Sequence, residues 1–351
     1  MLVITAKWGI GDGTVHAGPR AGVIDSFFTE LRRVAWRAGF RRDGTYRSID
    51  AAHLVFAGDT VDGLCSLAWS DGLRPWRGGR RAAAVAETVA DGVARSGGRA
   101  WRYLRRMLGA GLAVPAADHR GRPLLGTFMP ATVTASCVIG ERDGPLEGTS
   151  LAAAALRAGI RIGVMTDRGR DGTASSRDRP PTLLESLLVE LLVEFAVALR
   201  TASRPRGPTT AWLHRLALAE IADLPRLVQA EEERTGDRQL REAWLRAVGG
   251  WEARARFDPP AVPVPFDAVS AVAAWLERAT LDAALPLPAS LAGLGLDGPA
   301  LQPGSLPLAV AAEDSFSGAS VTEWWSGSAA PPAVVARIGA LPDAAGIVDA
   351  A

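Results

Sequence analysis

The sequence predicts an α/β fold in its first part and a mainly helical arrangement after it. Three observations carry this. Short apolar runs rich in β-branched residues, at 2–5, 51–57, 132–139 and 160–165, alternate with stretches of helical apolar spacing. Two of these runs end on glycine followed by a carboxylate, Gly58-Asp59 and Gly140-Glu141. From Pro205 onward, helical stretches parted by proline clusters take over.

Leu2 to Thr5 reads as a short buried strand, followed by a loop through Lys7, Gly9, Gly11, Asp12 and Gly13. Residues 24–39 form a helix by the spacing of Phe27, Phe28, Leu31 and Val34, with Asp25 or Ser26 as its cap and Gly39 as its stop. Residues 41–50 are polar connection and 51–57 are the second strand, so the order suggests a parallel βαβ unit. Residues 82–95 and 99–112 read as two helices separated by Ser96-Gly97-Gly98. Trp101, Leu104 and Leu108 share one face of the second; an amphipathic cap is the plain reading, an arginine-lined binding surface the other. A third strand at 132–139, a short helix at 151–158 and a fourth strand at 160–165 follow.

Residues 166–181 are polar, with Arg168, Arg170, Arg177 and Arg179. The helix at 183–199 is the most apolar in the chain and should be buried on most sides. Further helices are expected at 211–221, 239–248 and 266–278, and late strands at 306–312 and 334–338. The division is an α/β domain over 1–200 and an extension over 201–351 whose end packs back on the core.

Composition bounds the function. With 351 residues, 48% of them hydrophobic, the chain can bury one large core or two ordinary ones. A net charge of +1 gives no sign of a general nucleic-acid or membrane-surface role. Cys65 and Cys137 make no disulfide framework and read as buried thiols. No basic leader and no apolar run of membrane length is present, so a cytoplasmic location is expected. Oligomeric state is not legible.

The chemistry gathers at His53-Leu54-Val55-Phe56-Ala57-Gly58-Asp59-Thr60-Val61-Asp62. A strand that runs into Gly-Asp delivers its carboxylate to the C-terminal edge of the sheet, where open α/β folds place ligands. Asp62 is either a second pocket acid or the cap of the next segment. Arg142 and Asp143 are either pocket residues or a structural ion pair, and Asp12 between glycines reads as a turn residue. A dinucleotide fingerprint at Gly9-Ile10-Gly11 lacks its third glycine, and neither a Gly-Lys-Ser/Thr phosphate loop nor a Gly-x-Ser-x-Gly elbow occurs.

Gly58-Asp59-x-x-Asp62, followed by Gly140-Glu141-Arg142-Asp143, resembles the second and third motifs of the calcineurin-like metallophosphoesterases. The resemblance covers roughly residues 1–200 and implies a metallophosphoesterase-like α/β sandwich with a mainly helical C-terminal extension. It makes Asp59 the bridging metal ligand, Asp62 a supporting acid and Glu141 a substitute ligand. Arg142 and Asp143 would orient phosphate and water. The chain departs from the family elsewhere: Lys7 stands at an aspartate position and Gly9 at a histidine position of the first motif. None of His16, His53, His119 and His214 stands at a motif position.

A divergent member with degenerate metal motifs follows. Any metal would be weakly held Mg²⁺ or Mn²⁺ on oxygen ligands, with zinc or iron disfavoured because imidazoles are missing. Lys7, the sole lysine, would replace part of the lost metal charge beside Asp59. Two functions stay open. One is a pseudoenzyme that binds a ligand or partner; the other is an active phosphoesterase acting on a small phosphorylated molecule with a reduced metal site.

Overall fold

The computed structural model of the protein describes residues 1–5, 7–41, 43–69, 73, 79–140, 142–164, 183–201, 210–257, 266–282, 285–292, 307–311 and 339–340. The polar stretch with its four arginines, Glu141 and the strand expected at 334–338 lie outside these residues.

Strand β1 (Leu2–Thr5) leads through the first loop to helix α1 (Ala21–Arg37) and back to β2 (Ala51–Ala57). Helices α2 (Gly79–Ser96) and α3 (Gly98–Ala110) follow. Next come β3 (Leu112–Ala117), β4 (Pro123–Ile139), α4 (Ser150–Arg157) and β5 (Ile160–Val164). The helical part contains α5 (Leu183–Thr201), α6 (Thr210–Leu218), α7 (Leu224–Thr235), α8 (Arg238–Phe257), α9 (Phe266–Leu281) and the short α10 (Ala289–Ala292). Two late strands close the list, β6 (Pro307–Ala311) and β7 (Gly339–Ala340).

β1, β2, β4 and β5 are parallel neighbours, in the order β5-β4-β2-β1. Val3 pairs with Leu54, Leu54 with Ala135, and Cys137 with Ile162. β6 adds antiparallel to β1, and β7 to β6. The mixed α/β class is as the sequence predicts, and parallel register puts the loops after β1, β2 and β4 at one edge.

β4 is far longer than its predicted span. Its first half leaves the parallel sheet and pairs antiparallel with β3. Pro115, Pro123 and Pro130 and the left-handed Gly126 hide this arm from a pattern reading, because proline cannot donate to a ladder. Asp25 does not cap α1, which begins at Ala21. Its carboxylate instead accepts from Arg99 and from Tyr103 Oη at 2.9 Å, tying α1 to α3.

Two hydrophobic cores form. The first lies between the sheet and α1, α2 and α3, around Trp8, Phe27, Phe28, Leu54, Phe56 and Val89. The second is helical and built from α5 to α9, but Val15, Leu64 and Cys65 of the sheet-edge loops also belong to it. α5 is buried along most of its length, as its composition requires. α8 runs through Gly249-Gly250, where a stop was expected. Gly250 there faces α5, with a Cβ position only 3.5 Å from Glu194 Oε2.

Trp8 joins the first core to the loop after β1. It is fully buried, meets Phe27 and Phe56 edge-on at 4.9 and 5.4 Å, and donates its indole N–H to Thr5 Oγ1 at 2.7 Å. Trp8→Ala should lower unfolding free energy by about 3–5 kcal/mol in urea titration. A loss under about 1 kcal/mol would contradict this placement.

Candidate functional site at the sheet edge

The loops after β1, β2 and β4 are laced by backbone hydrogen bonds. Lys7 N–H donates to Gly58 O at 3.0 Å, Gly9 N–H to Asp59 O at 2.9 Å and Asp62 N–H to Ile10 O at 2.9 Å. Gly63 N–H reaches across to Arg142 O at 2.9 Å. Two non-glycine residues here take left-handed backbone, Lys7 at φ 53° and Asp59 at φ 51°. Such conformations cost energy and persist where surrounding bonds impose them.

Asp59 sits half-buried at the end of β2, and its Oδ1 accepts from Arg142 N–H at 3.2 Å. Gly140 lies against it so closely that a Cβ would stand 2.3 Å from that oxygen. Asp143 is buried; its Oδ1 accepts from Val61 N–H at 2.8 Å and its Oδ2 from Gly140 N–H at 2.9 Å. Burial pushes its carboxyl up to about 7, with the nearby Asp59 charge adding to the rise and the backbone N–H groups opposing it. The Cys137 thiol is pushed up to about 12, first by burial and then by Asp143.

Asp62 is fully buried and is the most engaged group at the edge. Oδ2 accepts from Arg142 Nη1 at 3.0 Å and faces His16 Nε2 at 2.9 Å. Oδ1 accepts from Leu64 N–H at 3.2 Å and Cys65 N–H at 2.9 Å. Against the cost of burial, the Arg142 guanidinium and His16 hold its carboxyl well below the usual range. Asp62 thus caps the following loop, one of the two readings its position offered, and also pairs with Arg142, through a guanidinium that one reading of the sequence gave to Asp143.

Sequence reasoning missed the histidines. His16 and His214 stand 5.4 Å apart by ring centroids beside Asp62. His214 Nε2 lies 3.0 Å from Trp8 O, and burial, aided by His16, lowers its pKa to about 3. His16 is buried, and its Nδ1 has no hydrogen-bond partner among the described residues. Neither sits in a motif; only the docking of α6 on the loop after β1 brings His214 in, and no local spacing signals that.

His16, Asp62 and Cys65 form a buried group whose donor atoms lie within 4.8 Å of one another, a set able to hold a metal ion. This differs from the oxygen-only set expected from Asp59, Asp62 and Glu141. Asp12 is a turn residue as read: it accepts from Thr14 N–H at 2.8 Å and from Ser66 Oγ at 2.6 Å. Lys7 corrects the charge-replacement expectation. It is exposed and sits on left-handed backbone, where the expectation had its ammonium inside the pocket.

Two predictions follow from the buried charges. Asp62→Asn and Arg142→Met should each cost about 3–5 kcal/mol, since each strands a buried partner. The double substitution should cost less than the sum of the two in a thermodynamic cycle; simple additivity would contradict the pairing. His214 has a folded pKa below its ordinary 6.5, so the stability it contributes is present above that value and is lost as pH falls toward about 3. The stability difference between the natural chain and His214→Gln should therefore change by about 1.4 kcal/mol per pH unit within that window. A difference independent of pH would show that His214 is not buried neutral.

Among the described residues, no helix is long and apolar enough to cross a membrane. Comparison of the chain with protein-family models, with curated proteins and with solved structures finds no match.

Proposed function

We propose that this chain is a binding protein on a metallophosphoesterase-like α/β frame, in which a two-metal hydrolytic centre is disarmed. The observation that supports this is the saturation of the acids. A carboxylate offers about four acceptor positions, and Asp62 meets His16, Arg142 and two backbone N–H groups. Asp143 spends both oxygens on Val61 and Gly140. Asp62 and Asp143, which the motifs would assign to supporting a metal and to orienting water and phosphate, are engaged in holding the three loops together.

A second reading rests on the group at His16, Asp62 and Cys65. Nitrogen, oxygen and sulfur together suit zinc better than Mg²⁺ or Mn²⁺. Against it stands Arg142, whose guanidinium touches the same Asp62 oxygen and would repel a cation there. We therefore expect divalent ions to bind weakly.

Purified protein should carry no stoichiometric metal by elemental analysis. With added Mg²⁺, Mn²⁺ or Zn²⁺ it should show no hydrolysis of phosphomonoester or phosphodiester test substrates that Asp59→Ala abolishes. Turnover that depends on Asp59, or one to two tightly bound metals per chain, would sink the proposal and favour an active phosphoesterase.

A further inference from the structure

A cavity of about 630 Å³ lies between α3, α4 and the sheet. It is within the usual range for small-molecule sites. Its walls are apolar: Trp101, Leu104 and Leu108 from α3, Leu151 and Ala155 from α4, and Ile162 from β5. α4 has an Ala- and Leu-rich sequence yet buries none of its residues fully. Its apolar side therefore lines open space where a packed helix would meet side chains.

Polarity is graded along the cavity. At the deep end, Phe56, Thr60 and Asp143 are buried, and their polar groups are already used. Asp143 accepts from two backbone N–H groups, and Thr60 Oγ1 lies 3.7 Å from Cys137 Sγ. At the mouth, Arg102 and Arg105 line the cavity from one turn of α3. Both are exposed, and neither has an ion-pair partner among the described residues. Glu147 and Asp143 are the acids on the lining; Glu147 is half-buried and already engaged. Two guanidinium groups with no ion-pair partner among the described residues, set over an apolar cavity, match a ligand with one anionic end and one aliphatic end.

We propose that this cavity binds a single-chain anionic amphiphile, with its head group on Arg102 and Arg105 and its chain running toward Phe56. The assignment rests on the binding-protein reading above and names its ligand class. A volume of about 630 Å³ is that of a small-molecule site.

Titration calorimetry with decanoate and with decanol on the full chain tests this. Decanoate should bind saturably at one site. Arg102→Glu with Arg105→Glu should weaken decanoate about tenfold or more and leave decanol unchanged. Ala155→Phe, which fills the shaft, should remove both, while its thermal melt shows that the fold is kept. Absence of saturable decanoate binding, or binding that all these substitutions leave unchanged, would overturn the inference. Equal losses for decanol and decanoate on charge reversal would also overturn it, because the head group would then play no part. Phosphoesterase turnover is read separately: it would end the binding-protein reading whatever decanoate does, and a failure of decanoate alone would leave that reading in place.

Discussion

The Asp62 carboxylate has no exposed surface, and four groups from three separate segments converge on it. His16 comes from the loop after β1, Arg142 from the loop after β4, and the two amides from the chain just past Asp62 itself. A buried carboxylate in a low-dielectric interior is tolerated only with such company, because removing it from water costs several kcal/mol before any partner is counted. The positions of the three sheet-edge loops are therefore interdependent. Moving any one of them leaves a charge or a donor unpaired in the interior. The strained backbone at Lys7 and Asp59 sits within the same laced region, which is what holds it there.

The second core begins where this lacing ends. Leu64 and Cys65, whose amides bind Asp62, also pack into the helical core, together with Val15 next to His16. His214 on α6 closes the join from the other side through the Trp8 carbonyl, and Trp8 belongs to the first core. One polar cluster thus links two apolar masses. This explains why the acids of the edge are spent on structure: the helical part covers the edge that an open α/β fold would leave to a ligand.

The parallel strands and the first helices were legible because each has a clear period and a glycine or polar boundary. Gly58-Asp59 was legible as a strand end, and Asp12 as a turn. The β3–β4 arm was not, since three prolines argue against a ladder that forms anyway at an edge. α7 escaped notice because it carries Glu231 and Glu232 on a buried side. Arg234 offsets the first, its Nε 2.9 Å from Glu231 Oε2, and Arg241 offsets the second, its Nε 2.6 Å from Glu232 Oε2. Sequence spacing has no way to show a buried acid with a partner nine residues away.

The site divides in the same manner. Asp59, Arg142 and Asp143 do meet, because they lie at strand ends that parallel pairing brings together, and strand ends can be read from sequence. His16 meets Asp62 across 46 residues of chain, and His214 of α6 meets the His16 ring through tertiary docking, which no motif encodes. Lys7 shows the opposite error: a position inferred by matching a motif says where the backbone goes, not where a four-carbon side chain ends. In the left-handed region the side-chain direction differs from that of an extended strand residue, so a charge placed by alignment alone can turn to solvent. The cavity beneath α4 belongs to neither class of signal. It arises from small side chains, Ala152 to Ala155, set where a core would call for large ones. A run of alanine reads in sequence as helix propensity; only its position over a sheet turns that run into space.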